Sequence, residues 1–383
     1  MLATDAVFRC FCRTGDSTVP PDSSRATMTR LACALAMMGG LLTPGIPVFA
    51  AEEAKDGPTY TSRDAADEDY QFQGEYRGWQ RSLSSPRSSQ SVAIQVVANG
   101  QGEFQAAKYY DGLPGGGWQP PSRFLLKGTR SGHIVRLTGG QYDCEIEGSQ
   151  LRVVDGDGQV TGVLERVERI SSTMGAKPPQ GAIVLFDGTG VQHWKGGKLS
   201  AEGDLQQGTE TNATFADFRL HAEFMLPYKP LARGQNRGNS GFYLLGRYEV
   251  QVLDSFGLEG IENECGSLYR TKRPDMNLCL PPLQWQSYDI DFTNAQFDSS
   301  GKKTRNMQIS IWHNGVPIHS AASIPNKTGA GQPEGPDPRS IKLQEHANPV
   351  VFRNIWLIDK TQPGSESIPW LKLPLSGAPT PID

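Results

Sequence analysis

The stretch that decides the fold is "RGNSGFYLLGRYEVQVLDSFG", Arg237 to Gly257. Apolar and polar residues alternate along it, the period-2 signature of a half-buried β-strand. Taken as one strand from Tyr243 to Asp254, its even positions continue Phe242 through Leu244, Tyr248, Val250 and Val252, a core face. The odd positions are Tyr243, Leu245, Arg247, Glu249, Gln251 and Leu253. An aromatic ring, a cation, a carboxylate and an amide then share one face. Two readings fit that row. It is either a solvent-facing strand with an Arg247–Glu249 pair contributing under about 1 kcal/mol, or a polar groove with an aromatic wall, a surface suited to sugars.

Similar runs flank it. "FRLHAEFML", "QSYDIDFT", "RNMQISIWHNGVPIH", "IKLQEH" and "VVFRNIWLI" all alternate, and no long amphipathic helix interrupts them. Residues 183–360 therefore read as an all-β two-sheet sandwich or jelly roll. Upstream, "SVAIQVVANGQGEFQAAKYY" places two alternating runs around Asn99-Gly100, a hairpin signal, and a meander follows it. That makes 70–172 a small antiparallel β domain. "MGAKPPQG" sets a linker at 173–182, the acidic stretch 51–69 reads as another, and 361–383 is a C-terminal tail. The "DGDG" at 155–158 lacks the sixth-position glycine of a calcium loop, because Val160 stands there, and reads as a tight turn.

With 43 glycines and 27 prolines among 383 residues, the chain is loop-rich and long enough for two cores. A net charge of −4 leaves no electrostatic footprint for nucleic acid. Residues 1–50 read as a signal region whose true start is Met28. Arg30 gives a positive flank, Leu31 to Leu42 a short apolar core, and Val48 and Ala50 a cleavage site before Ala51. Export, periplasmic or extracellular, is the expectation, with no membrane span left after cleavage. In an oxidising compartment Cys265 and Cys279 become candidates for a disulfide, the alternative being two separate buried thiols. Closing so short a loop would stabilise by about 3 kcal/mol. No residue pattern sets an oligomeric state.

Eight ordered motifs carry a resemblance. "IVLFDGTGVQHW", "FRLHAEFML", "NSGFYLLGRYEVQVLDS", "GSLY", "WQSYDIDF", "HNGVPIH", "LQEH" and "FRNIWL" together resemble the 3-keto-disaccharide hydrolase family. The match spans about residues 183–360 and leaves the first domain uncovered. It implies a concanavalin A-like jelly roll of the lectin and glucanase type. It also implies a substrate class, disaccharides or glycosides already oxidised to a ketone at C3. Within the matched motifs it marks Asn239, Glu249, Gln251, Asp254, Tyr269, His346 and Arg353 as site candidates.

The residues bear on the chemistry. Sandwich glucanases carry E-x-D-x-E on one strand, whereas this chain has Glu249, Gln251 and Leu253. Direct double displacement needs two carboxyls about 5 Å apart, and that pattern is broken here. A 3-keto sugar offers another route, because the ketone acidifies the C2 hydrogen. A base removes it, the enolate expels the C1 oxygen, and water added back completes a net hydrolysis. Glu249, Asp254 and His346 are the candidates for base, electrostatic partner and acid, expected to converge in one pocket. Asn239, Arg247, Gln251, Tyr269 and Arg353 are candidates for binding substrate. No cofactor is evident, and a divalent metal would have to be assembled from distant strands. Each residue also has a plainer role: His346 as a strand-end cap, Arg353 as a structural ion pair, Asn239 as a turn residue, Trp285 and Trp312 as core. A lectin-like, non-catalytic carbohydrate-binding module stays open as the alternative.

Overall fold

Glycines at two close approaches, Gly78 and Gly128, let adjacent strands of the first β domain come together. The computed structural model describes residues 56–374 apart from 83, 84, 86, 141 and 142. The signal reading of residues 1–50 lies outside them. Eight strands follow in order: β1 (Gly74–Arg81), β2 (Ser89–Gly100), β3 (Glu103–Tyr110), β4 (Phe124–Ser131), β5 (Ile134–Thr138), β6 (Asp143–Glu147), β7 (Gln150–Val154) and β8 (Val160–Val167). Each pairs antiparallel with the next, and β1 also pairs with β8, which closes the barrel. A Cβ at Gly78 would strike the Val163 carbonyl, and one at Gly128 the Arg136 carbonyl. Alternation fills the interior with Tyr76, Ile94, Val96, Phe104, Leu137 and Leu151, all buried. The expected β2–β3 hairpin is present, its turn running to Gly102 with Gln101 at φ 57°.

The second half is a sandwich. One sheet orders β9 (Ile183–Phe186), β20 (Val351–Asp359), β13 (Phe218–Met225), β16 (Trp285–Thr293), β17 (Met307–His313) and β18 (Val316–Ile324), with β11 (Leu205–Gln206) also paired to β20. The facing sheet orders β10 (Trp194–Lys195), β12 (Thr209–Thr211), β19 (Lys342–Leu343), β14 (Asn239–Leu244) and β15 (Tyr248–Leu253). Phe224, Phe242, Tyr248, Val250, Tyr288 and Phe352 pack between them in one buried cluster. The chain is all-β, as the alternating runs require.

The decisive stretch is two strands, not one. Leu245 at φ 56° and Gly246 at φ 63° make a tight reversal, and Arg247 N donates to Leu244 O at 3.0 Å. Both central residues are left-handed, the I′ geometry that suits a hairpin. Leucine tolerates that conformation poorly, so the sequence lacks the usual Asn-Gly or Asp-Gly cue. Leu245, at the turn, is buried against the core cluster.

The segments read as linkers are packed. Tyr60 and Tyr228 exchange backbone hydrogen bonds of 2.9 Å and stack with ring centroids 5.7 Å apart. Leu231, on the loop after β13, packs against Gly57 and Gly100 of the barrel side. Arg169 forks onto Glu75 at 2.5 and 2.6 Å, with both side chains buried. Past it, Thr173 Oγ1 donates to Asp289 at 2.7 Å and Gly175 N to Glu223 at 2.6 Å. In the tail, Trp370 meets Trp356 edge-on. The expected Cys265–Cys279 disulfide is not formed. Both are buried thiols. Each sulfur has its own partner, Tyr288 Oη at 3.2 Å for Cys265 and Leu253 O at 3.5 Å for Cys279.

Under the 173–176 strap lies a sealed charge cluster. His221 Nδ1 is 2.6 Å from Asp289 and its Nε2 3.6 Å from Glu223, all buried. Burial pulls the imidazole pKa down, but hydrogen bonds and charge from Asp289 and Glu223 overcome that and raise it to about 9. A group raised in the folded state stabilises fully below its unfolded pKa, near 6.5, and loses that contribution as pH climbs through about 9. Removing the cation leaves buried Asp289 with no positive partner, while Glu223 keeps Arg353. His221→Gln is expected to lose about 3 kcal/mol at pH 6.5 and far less at pH 9.5, measured by urea unfolding. An equal loss at both pH values would refute the charged imidazole.

Candidate active site on the outer face of the smaller sheet

Cross-strand register builds the site. Lys195 faces Glu210, Glu210 faces Lys342, Lys342 faces Tyr243, and Tyr243 faces Glu249. One polar row thus crosses five strands on the face opposite the core. It runs from exposed Lys195 to Glu249, which is 1% exposed. The hairpin places Tyr243 and Glu249 on one face as neighbours across strands.

Glu249 occupies a tailored hole. A Cβ at Gly241, on β14, would lie 2.6 Å from Glu249 Oε1, so only glycine leaves space for the carboxyl there. Above, Gly329 at φ 38° brings the 326–332 strap down: a Cβ on it would sit 2.8 Å from the Tyr269 ring and 3.5 Å from Glu249 Oε2. Thr328 Oγ1 accepts the Glu249 backbone N–H at 2.6 Å. Burial pushes the Glu249 carboxyl up to about 7, opposed only by the Tyr243 hydroxyl. Oε2 is buried and has no hydrogen-bond partner.

Amides extend the site from Glu249. The Gln251 carboxamide lies 3.3 Å from Glu249 Oε1 and 3.3 Å from Asn239 Oδ1. Asn239 Nδ2 is 3.5 Å from His346 Nε2 and donates to Gln235 O at 2.8 Å. His346 is exposed at the rim. Tyr269 is half-buried beside the carboxyl, its N–H donating to Glu249 O at 3.1 Å. A cavity of about 600 Å³ opens along this face, lined by Tyr243, Lys342, Gln344, Gln332, Arg339 and Glu345. A second, of about 560 Å³, shares Glu345 and is lined by Lys198, Asp204, Gln207, Met225 and Asn348 among others.

Three candidates have other duties. Arg247 is fully buried, donating to Pro333 O and Asp337 O at 3.0 Å each and pairing with the Asp337 carboxylate at 3.1 Å. It ties down the loop rather than facing the cavity. Asp254 is wholly buried and pairs with Arg237 at 2.7 Å. Burial raises its carboxyl, against the pull of Arg237. Arg353 lies on the other sheet, bound to Glu223 at 2.7 Å and 3.9 Å over the Trp285 ring. The expected convergence of Glu249, Asp254 and His346 therefore reduces to Glu249 and His346, linked through Gln251 and Asn239. Gln344 was not anticipated, although it lies within the quoted "LQEH", and Gln235 and Thr328 come from loops without a motif. Among the described residues, no group of three or more His, Cys, Asp or Glu side chains is arranged to hold a metal.

A carboxyl whose folded pKa is raised destabilises the native state as pH rises from about 4.5 through about 7. Glu249→Gln is expected to raise stability at pH 8 by on the order of 1–3 kcal/mol and to change little at pH 4.5. Thermal midpoints at the two pH values decide it; a variant less stable at pH 8 would show the carboxylate to be satisfied.

Residues 181–358 match the profile of the 3-keto-alpha-glucoside-1,2-lyase-like domain. Among solved structures, a candidate glycosyl hydrolase from Parabacteroides distasonis ATCC 8503 is 31% identical, over 46% of this chain and 83% of its own, with a TM-score of 0.43. Two others from that organism, described in the same way, are 18% and 19% identical. They cover 47% and 46% of this chain and 94% and 98% of their own, with TM-scores of 0.36 and 0.33. No curated protein matches the chain. The sandwich half of this chain belongs to the 3-keto-alpha-glucoside-1,2-lyase-like domain family, and the protein is a member of that carbohydrate-acting family.

Proposed function

We propose that the protein cleaves the glycosidic bond of 3-keto-disaccharides and related 3-keto-glycosides by elimination followed by hydration. The observation that carries this reading is Glu249, a buried carboxyl with an orphaned oxygen and a pKa near 7 beside a sugar-sized cavity. Such a group is matched to proton transfer at neutral pH. It is the final acceptor of the C2 proton, which the neighbouring ketone acidifies. The electron pair forms the enolate, which expels the C1 oxygen; that alkoxide takes a proton from water, the hydroxide adds to C1 of the resulting enone, and Glu249 gives its proton back to C2. Lectin-like binding without chemistry needs no such carboxyl, since a recognition site stabilises its carboxylate with donors. The two cavities share Glu345 as a lining residue, and each has the volume of a sugar ring or more. Export belongs to the same proposal, on the pattern from Met28 to Ala50.

Incubation with a 3-keto-disaccharide and with its unoxidised parent is the direct test. Release of monosaccharide from the keto form alone is expected, with kcat falling about 10²–10⁴-fold in Glu249→Gln. Binding of both sugars without turnover would favour the lectin reading. For export, N-terminal sequencing of protein from the native host is expected to begin at Ala51; retention of residues 29–49 would overturn that part.

A further inference from the structure

Glu249 does not line the cavity; Tyr243 does. The Tyr243 side chain stands directly across the strand pair from Glu249, at the end of the cavity, and is 7% exposed. Its ring faces Glu249 across the strand pair, and the side chain of Gln344 lines the same cavity beside it. Gln344 Oε1 is itself buried without a partner, a second orphan beside that of Glu249. Gly241 below and Tyr269 and Gly329 above crowd the Glu249 carboxyl, and the Gln251 carboxamide lies 3.3 Å from its Oε1.

From this placement we infer that Tyr243 is the catalytic residue that touches the sugar, and that Glu249 takes and returns the reacting proton through the Tyr243 hydroxyl. The inference rests on the elimination reading above and adds the group that meets the substrate. In the forward step the C2–H bond breaks and its electron pair stays on carbon as the enolate. The proton passes to the Tyr243 oxygen while the tyrosine's own proton moves to Glu249. The tyrosine ends neutral and the carboxyl protonated; the leaving alkoxide takes a proton from the incoming water, the hydroxide adds to C1 of the enone, and the Glu249 proton returns to C2 through Tyr243. Burial, and then the Glu249 charge, hold the phenol well above the usual tyrosine range, so the hydroxyl stays protonated and relays rather than acting as a phenolate.

The test separates proton abstraction from bond cleavage. In D2O, methyl 3-keto-glucoside and 3-keto-glucose are followed by NMR for deuterium entering C2, alongside kcat and KM for cleavage. Tyr243→Phe and Glu249→Gln are each expected to slow exchange about 10²-fold or more with little change in KM. Circular dichroism checks folding, and 3-fluorotyrosine at position 243 gives a variant of nearly unchanged shape whose exchange rate should move with its acidity. The relay is overturned if Tyr243→Phe exchanges at the parent rate while Glu249→Gln does not, or if it raises KM alone. If the parent protein itself exchanges no hydrogen at C2 of either keto sugar, the elimination reading falls, and the relay with it.

Discussion

Arg247 is the constraint on which the site depends. A guanidinium with no exposure is costly unless every donor direction is met. Here it is met by two backbone carbonyls and a carboxylate, all from the 333–337 segment. Those bonds fasten the loop across the end of the β14–β15 hairpin. Fastened there, the chain just before it lies over the sheet, Thr328 accepts the Glu249 N–H, and Gly329 closes the hole around the carboxyl. Without the clamp Glu249 would be a solvated glutamate on an outer strand. With it, Glu249 is dry and short of partners.

The polar face also depends on the apolar one. Val250 and Val252 fix the register of β15 because a slip of one residue would turn them outward. That register sets Glu249 opposite Tyr243 and Gln251 opposite Gly241. The core therefore specifies which side chains of the other face become neighbours. The barrel contributes at one remove. It holds Leu231 and, through Asn99, Arg233 in the loop after β13, and Gln235 of that loop meets Asn239 and Gln251.

Much of this was legible in the alternating runs. Period 2 along 237–257 separates Val250 and Val252 from Glu249 and Gln251, and strands without helical crossovers leave only sandwich or barrel. What escaped has physical causes. The reversal at Leu245 uses a left-handed leucine, which no turn cue announces. Closure of the barrel rests on β1 meeting β8, and alternation says nothing about who pairs with whom. Asp254 and Arg353 were visible as charges, but their partners, Arg237 and Glu223, are set by the third dimension. The His221–Asp289–Glu223 cluster shows only as H-x-E on one strand and the first aspartate of a D-x-D on another. Glu249 could be named from its face, whereas its unusual acidity depends on a strap some 80 residues further along.

Strand order has a consequence for how the chain comes into being. The barrel uses only residues 74–167 in an unbroken meander, so all its partners exist once Val167 has been made. The sandwich differs. Its strand β20, Val351–Asp359, lies inside the larger sheet between β9 and β13, so that sheet stays divided until nearly the whole chain is available. Synthesis from the N-terminus thus supplies every barrel strand while β13 still lacks its neighbour on one side, although Tyr228 and Leu283 of the barrel's core cluster come later. Leu231 and the loop around it then find a folded surface to settle on.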